Sequence, residues 1–235
     1  MKIPPVPHSW RLSPKRAMAL QRELAGRVRA EALARPPRLL AGVDCAFEAE
    51  HCLAVAVLWD AATGETLEER RALRDLHFPY VPGLLSFREA PAVLAALRKL
   101  HTTPDAILCD GHGLAHPRRF GIACHVGVLT GLPTLGVGKS RLVGEHAEPA
   151  AARGSRASLR DAGERIGTVL RTRERVRPVY VSIGHRIDLE GATRLALRAA
   201  RGFRLPEPTR LADRGVARFK AQRRPLREAA SPAAR

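Results

Sequence analysis

The sequence predicts an α/β protein built on one mixed sheet with helices on its faces. Three observations carry that expectation. Three strand-like segments follow one another between residues 39 and 78 with short turns, the pattern of an antiparallel meander. Helical and strand segments then alternate, which adds parallel strands beside the meander. Hydrophobic residues make up 45% of 235, enough to fill a core without staples.

Residues 1–12 form an irregular lead with Pro4, Pro5, Pro7 and Trp10. Ser13-Pro14 then supplies an N-cap and a first helical residue. Ala17, Leu20, Leu24 and Val28 recur at helical spacing, so a helix is expected to about Leu33, before Pro36-Pro37. Residues 39–47 read as a strand with Asp44 inside an apolar run, residues 52–59 as a second, and residues 66–78 as a third. The stretch FPYVPGLLSFRE, residues 78–89, is a stiff turn running into a helix that continues over 90–100. Each proline fixes its own φ and biases the residue before it, and Gly83 permits a tight bend. Residues 104–110 form a short apolar strand ending in an acid, 118–130 a helix and 133–137 a strand. The polar stretch 144–162 reads as a loop. Strands over 166–171 and 178–182, a helix over 189–201 and a last helix after Pro206 complete one domain at 1–222. The basic Ala/Pro/Arg tail at 223–235 is expected to be disordered.

Forty Lys+Arg against 23 Asp+Glu give a net charge of +17. Such an excess favours a polyanionic partner through phosphate neutralisation and counterion release. Only five of those cations are lysines, so an arginine-rich composition with a solvated basic surface is the alternative. No run is apolar and long enough to span a bilayer, and the N-terminus lacks a charged-then-apolar signal pattern. Cys45, Cys52, Cys109 and Cys124 have no C-x-x-C spacing. They read as reduced, buried residues of a cytoplasmic protein, not as a zinc ribbon.

Asp44 sits in mid-strand, where an ionised carboxylate is costly unless paired or metal-bound. Asp110 ends an apolar strand before Gly111-His112-Gly113, and strand carboxyl ends are where α/β sheets place ligands. Glu89 lies early on the helix after the Tyr80 turn. If the three converge, they offer an oxygen-rich site for Mg²⁺ or Mn²⁺. A salt bridge to an arginine is the alternative for each acid alone; two acids at apolar-strand positions favour metal. Tyr80 between its two prolines suits a wedge or stacking platform for a base, or a ring packed on the core. GVGKS, residues 136–140, resembles the end of a phosphate loop, but Pro133 stands where the first glycine is needed. Lys139 can still meet one phosphate. The loop from His112 to Arg119 reads as a phosphate-facing rim or an ordinary surface loop.

PYVPGLLSFRE, DGHGLAHPRRFGIACHVGV, GVGKS and VSIGHRIDLEGA, with AGVDCAFE, resemble the endonuclease V family. The resemblance runs from HSWRLSPKRAMALQREL to LPEPTRLAD and leaves out the tail. It implies a ribonuclease H-like fold. It implies Mg²⁺-dependent hydrolysis of DNA, with Mn²⁺ able to substitute, at the second phosphodiester bond 3′ to a deoxyinosine. The products implied are a 3′-hydroxyl and a 5′-phosphate. By position, Asp44, Glu89 and Asp110 are the expected metal-binding acids and Tyr80 the wedge. Lys139 and His116 fall in motifs near the cleaved phosphate. Asp213 matches a position that carries Asp or His near the metals. Pro82 would fill the gap in the stack with Tyr80, and backbone groups near Gly83 and Gly113 would read the extruded base. The chain departs from the family at Ile183, where Pro is usual, and at Lys15 and Arg16, where acids are usual. The alternatives are the same cut in inosine-containing RNA, or a non-catalytic nucleic-acid binder of this fold. A monomer is expected.

Overall fold

The computed structural model describes residues 1–230. Helix α1 spans Pro14–Ala25, with Ser13 as N-cap accepting from the Arg16 N–H. It ends short of the expected Leu33, because the Gly26 N–H turns back onto the Glu23 and Leu24 carbonyls. Val28 and Leu33 instead pack, from an irregular segment, against the sheet's core. Strands β1 (Leu39–Glu48), β2 (His51–Asp60) and β3 (Thr66–Asp75) form the expected antiparallel meander. Helix α2 (Ser86–Arg98), strand β4 (Ala106–Cys109), helix α3 (Ile122–Thr130) and strand β5 (Thr134–Gly138) follow. Helix α3 starts later than expected. Arg119 takes a left-handed φ of 52°, which breaks a helical path before Ile122.

Strands β1, β4 and β5 are mutually parallel. Strands β6 (Arg156–Asp161), β7 (Glu164–Leu170) and β8 (Val179–His185) then extend the sheet in antiparallel fashion. The sheet has eight strands in the order β3-β2-β1-β4-β5-β8-β7-β6. Strand β6 lies within the stretch expected to be loop. It is an edge strand with only Leu159 fully buried, so its sequence stays polar. Helix α4 spans Leu189–Ala199. Helix α5 spans Glu207–Ala230 and so passes Arg223, where the irregular tail is expected to begin. The rest of that tail, residues 231–235, lies outside the described residues.

Side-chain alternation divides the sheet into two cores. Ala41 and Val43 of β1 and Ile107 and Cys109 of β4 face α2 and α3. Leu40, Leu108, Leu135 and Val137 point the other way, with α4 on their side. Val55 and Val57 of β2 pack on Ala212 and Val216 of α5. Gly42 lets α5 touch the sheet: a Cβ there would lie 2.0 Å from the Pro208 carbonyl carbon.

Candidate active site

Asp44 and Asp110 come together by register. Val43 pairs with Cys109 across the parallel β1–β4 ladder, so the next residue on each strand is an aspartate. Both continue the parity of Leu40 and Leu108 and turn toward α5. Asp213 on α5 meets them. One oxygen from each of the three carboxylates lies within 4.8 Å of the others. Lys139, just past the end of β5, places Nζ 2.5 Å from Asp110 and 3.3 Å from Asp213. Glu89, in the first turn of α2, approaches from the other face of the sheet and stands outside that three-acid cluster.

The electrostatics follow from crowding like charges in a poorly solvated place. Burial and then the charge of Asp110 push the Asp44 carboxyl up to about 7. Burial, Asp44 and Asp110 push Glu89 up to about 8. Asp110 is also raised by burial, with Lys139 opposing. Burial lowers Lys139, but Asp110 and Asp213 more than reverse this, so its ammonium is held charged. Hard oxygen donors at this spacing, short of positive charge, fit a divalent cation. Asp44, Asp110 and Asp213 could hold it.

The Tyr80 loop is pinned at its base and free at its tip. Phe78 is buried and stacks on Phe87 at 5.4 Å, and Leu84 is fully buried. Tyr80 is 71% exposed and Pro82 is exposed too, so the reading of Tyr80 as core packing falls away. Gly83 turns the chain with a φ of 75°. Its carbonyl accepts from Gln21 Nε2 at 3.0 Å and Arg118 Nη2 at 2.6 Å, and lies 3.0 Å from His116 Nε2. His116 is therefore a prop beneath this loop. It is buried, and that burial, then Arg118, pushes its imidazole down to about 4. A cavity of about 270 Å³ runs from Tyr80, Pro82 and Gly83 to Glu89 and Asp110, with Ser86 and His112 in its wall.

Gly113 does not reach that wall. Its N–H donates to Ser182 Oγ at 2.9 Å and its carbonyl accepts from Gly121. The glycines of GVGKS also serve the loop above them: a Cβ on Gly138 would lie 2.4 Å from the His112 ring. They make room for the segment after Asp110 and leave Lys139 as that motif's contribution to the site. Sequence reasoning misses Gln21, Arg118 and Ser86. All three lie within stretches that the sequence marks, Gln21 in residues 8–24, Ser86 in residues 78–89 and Arg118 in the rim after His112, but none stands out there as an individual residue.

Carboxylates gathered over the central strands of a mixed sheet, on a strongly basic chain, suit attack on a phosphodiester of nucleic acid. The class that this fold and site define is a nuclease. The endonuclease V family profile matches residues 22–214. An endonuclease V from Geotalea uraniireducens (strain Rf4) is 51% identical over 200 residues, covering 85% of this chain and 86% of its own. The crystal structure of endonuclease V from Streptomyces avermitilis is 45% identical with a TM-score of 0.86, covering 96% of this chain and 98% of its own. This chain belongs to the endonuclease V family and is an endonuclease. Ciona intestinalis endonuclease V, crystallised with a 24mer DNA containing an inosine followed by a ribo-adenosine, is 22% identical. It shares the fold at a TM-score of 0.75, covering 87% of this chain and 96% of its own.

Proposed function

We propose that this endonuclease serves DNA repair by nicking a strand at the second phosphodiester bond 3′ to a deoxyinosine. The observation that carries this reading is the single cavity joining the Tyr80 loop to Glu89 and Asp110. It offers a place to lodge a base at one end and a place to cut at the other. The choice of lesion follows the inosine-containing DNA that the Ciona enzyme holds.

Asp44, Asp110 and Asp213 hold Mg²⁺, or Mn²⁺ in its place, and Glu89 adds a carboxylate from the other face of the sheet. The bound cation supplies Lewis-acid activation of water and phosphate. Lys139 places fixed positive charge where charge develops on the phosphate. The products are a 3′-hydroxyl and a 5′-phosphate. Hypoxanthine pairs poorly, so extruding it costs less than extruding a normal base. Tyr80 and Pro82 enter the gap left in the stack. His116, Gln21 and Arg118 keep Gly83 and the loop in place. Gly113 acts by packing, with its backbone groups occupied. One chain carries every one of these groups, which fits a monomer. No described helix is long and apolar enough to cross a membrane. Four free thiols fit a reducing cytoplasm.

Single-turnover cleavage of an inosine-containing duplex with Mg²⁺ tests the assignment. Asp44→Ala and Asp110→Ala are expected to lose cleavage while binding largely survives, since phosphate contacts lie elsewhere. Near-normal cleavage by either variant would overturn it. The same oligonucleotide as RNA shows whether a 2′-hydroxyl is accepted.

A further inference from the structure

His8, His125 and Ser86 form a hydrogen-bonded line that the chemistry above does not use. His8 Nδ1 lies 3.1 Å from the Ser9 carbonyl oxygen. His8 Nε2 lies 3.0 Å from His125 Nε2. His125 Nδ1 lies 3.1 Å from Ser86 Oγ. Ser86 is 3% exposed and lines the cavity between Tyr80 and Asp110. His125 is fully buried among the rings of Trp10, Phe87 and Phe120.

With both rings neutral, the protons have one arrangement. A carbonyl oxygen only accepts, so His8 carries its proton on Nδ1. His8 Nε2 is then bare, and the proton between the rings belongs to His125 Nε2. That leaves His125 Nδ1 bare, so Ser86 donates its hydroxyl proton to it. Only lone pairs remain on Ser86 Oγ. Burial keeps both rings neutral: it pushes His125 down to about 3 and holds His8 below its ordinary value.

We propose that this relay makes Ser86 Oγ an obligate hydrogen-bond acceptor in the base cavity, selecting extruded bases that present a ring N–H. The proposal rests on the base-extrusion reading above. Hypoxanthine carries a proton on N1. Adenine, which it replaces in DNA, has a bare lone pair at the same ring position. A buried acceptor facing a lone pair rejects a base far better than a change of shape alone. Ser86 is then a specificity residue, and His125 and His8 are positioning residues.

Two measurements test this. Long-range ¹H–¹⁵N spectra of the free, ¹⁵N-labelled protein report the tautomers without any turnover. The expected result is Nε2–H on His125 and Nδ1–H on His8; Nδ1–H on His125 would overturn the proposal. Fluorescence anisotropy in EDTA then compares duplexes containing deoxyinosine or deoxynebularine, a purine with a bare N1. Ser86→Ala is expected to lower the inosine-to-nebularine affinity ratio about tenfold. His8→Leu, which frees the His125 proton, is expected to lower it about threefold. An unchanged ratio in either folded variant would overturn the proposal, as would a wild-type protein without preference. Wild-type protein that prefers inosine in binding yet cuts neither duplex with Mg²⁺ would support this proposal and sink the cleavage reading.

Discussion

Replacing Glu89 by Gln is expected to stabilise the metal-free protein, by an amount that grows with pH. Burial first, then the charges of Asp44 and Asp110, push the Glu89 carboxyl from 4.5 up to about 8. In the unfolded chain the same group ionises near its ordinary value. Its folded pKa is raised, so its contribution to stability is fully present below about pH 4.5 and is lost as pH climbs through about 8. Within that window the native state keeps a proton that the unfolded chain releases, at about 1.4 kcal/mol per pH unit. Between pH 5.5 and 8 the penalty therefore grows by about 3 kcal/mol, or about 6–12 °C in Tm for a chain of this size. Thermal unfolding of wild type and Glu89→Gln, both in EDTA, reads it directly. The histidines and thiols are common to both proteins, so the difference reports residue 89 together with its coupling to Asp44 and Asp110. The gap in Tm is expected to widen from pH 5.5 to 8. A gap that stays constant would refute the reasoning, because Glu89 would then be equally ionised in both states. Added Mg²⁺ is expected to close the gap by supplying the missing positive charge.

Lys139→Ala removes the cation 2.5 Å from Asp110, and single-turnover cleavage is expected to fall about 10²–10³-fold. An undiminished rate would reduce Lys139 to a counter-ion of the acids. Tyr80→Ala, at a residue 71% exposed, is expected to change stability by no more than about 0.5 kcal/mol. The same variant is expected to lose discrimination between inosine-containing and undamaged duplex, and retained discrimination would count against the wedge. Gly42→Ala drives a Cβ to 2.0 Å from the Pro208 carbonyl carbon, so urea unfolding is expected to show a loss of about 1–3 kcal/mol. An unchanged midpoint would mean that α5 tolerates displacement there.

Asp44 and Asp110 are legible in the sequence because each is an acid in an apolar strand, a local contradiction that only a site or a salt bridge resolves. The meander is legible because its three strands are consecutive and its turns short. Strand β6 is hidden, since an exposed edge needs few apolar residues. The end of α1 is hidden for the opposite reason: Val28 and Leu33 satisfy the helical period while packing from an irregular segment. Ser86 and Gln21 carry no local mark. A serine at a helix start reads as a cap, and a glutamine in an amphipathic helix reads as surface. Their meaning comes from partners 39 and 62 residues away. His116 stands in a basic, histidine-rich loop, and sequence alone cannot say that its ring holds up the Gly83 carbonyl.

Asp213 enters the cluster from α5, the element that follows all eight strands in the chain. A chain emerging from the ribosome can lay down the whole sheet, and with it Asp44 and Asp110, before this carboxylate exists. The three-carboxylate cluster is thereby complete only once the last helix has been made. A partly made or C-terminally clipped molecule would lack the third acid, and the β2 residues Val55 and Val57 would lose the cover of Ala212 and Val216. On the proposed reading, such fragments would be poorly equipped to break a strand.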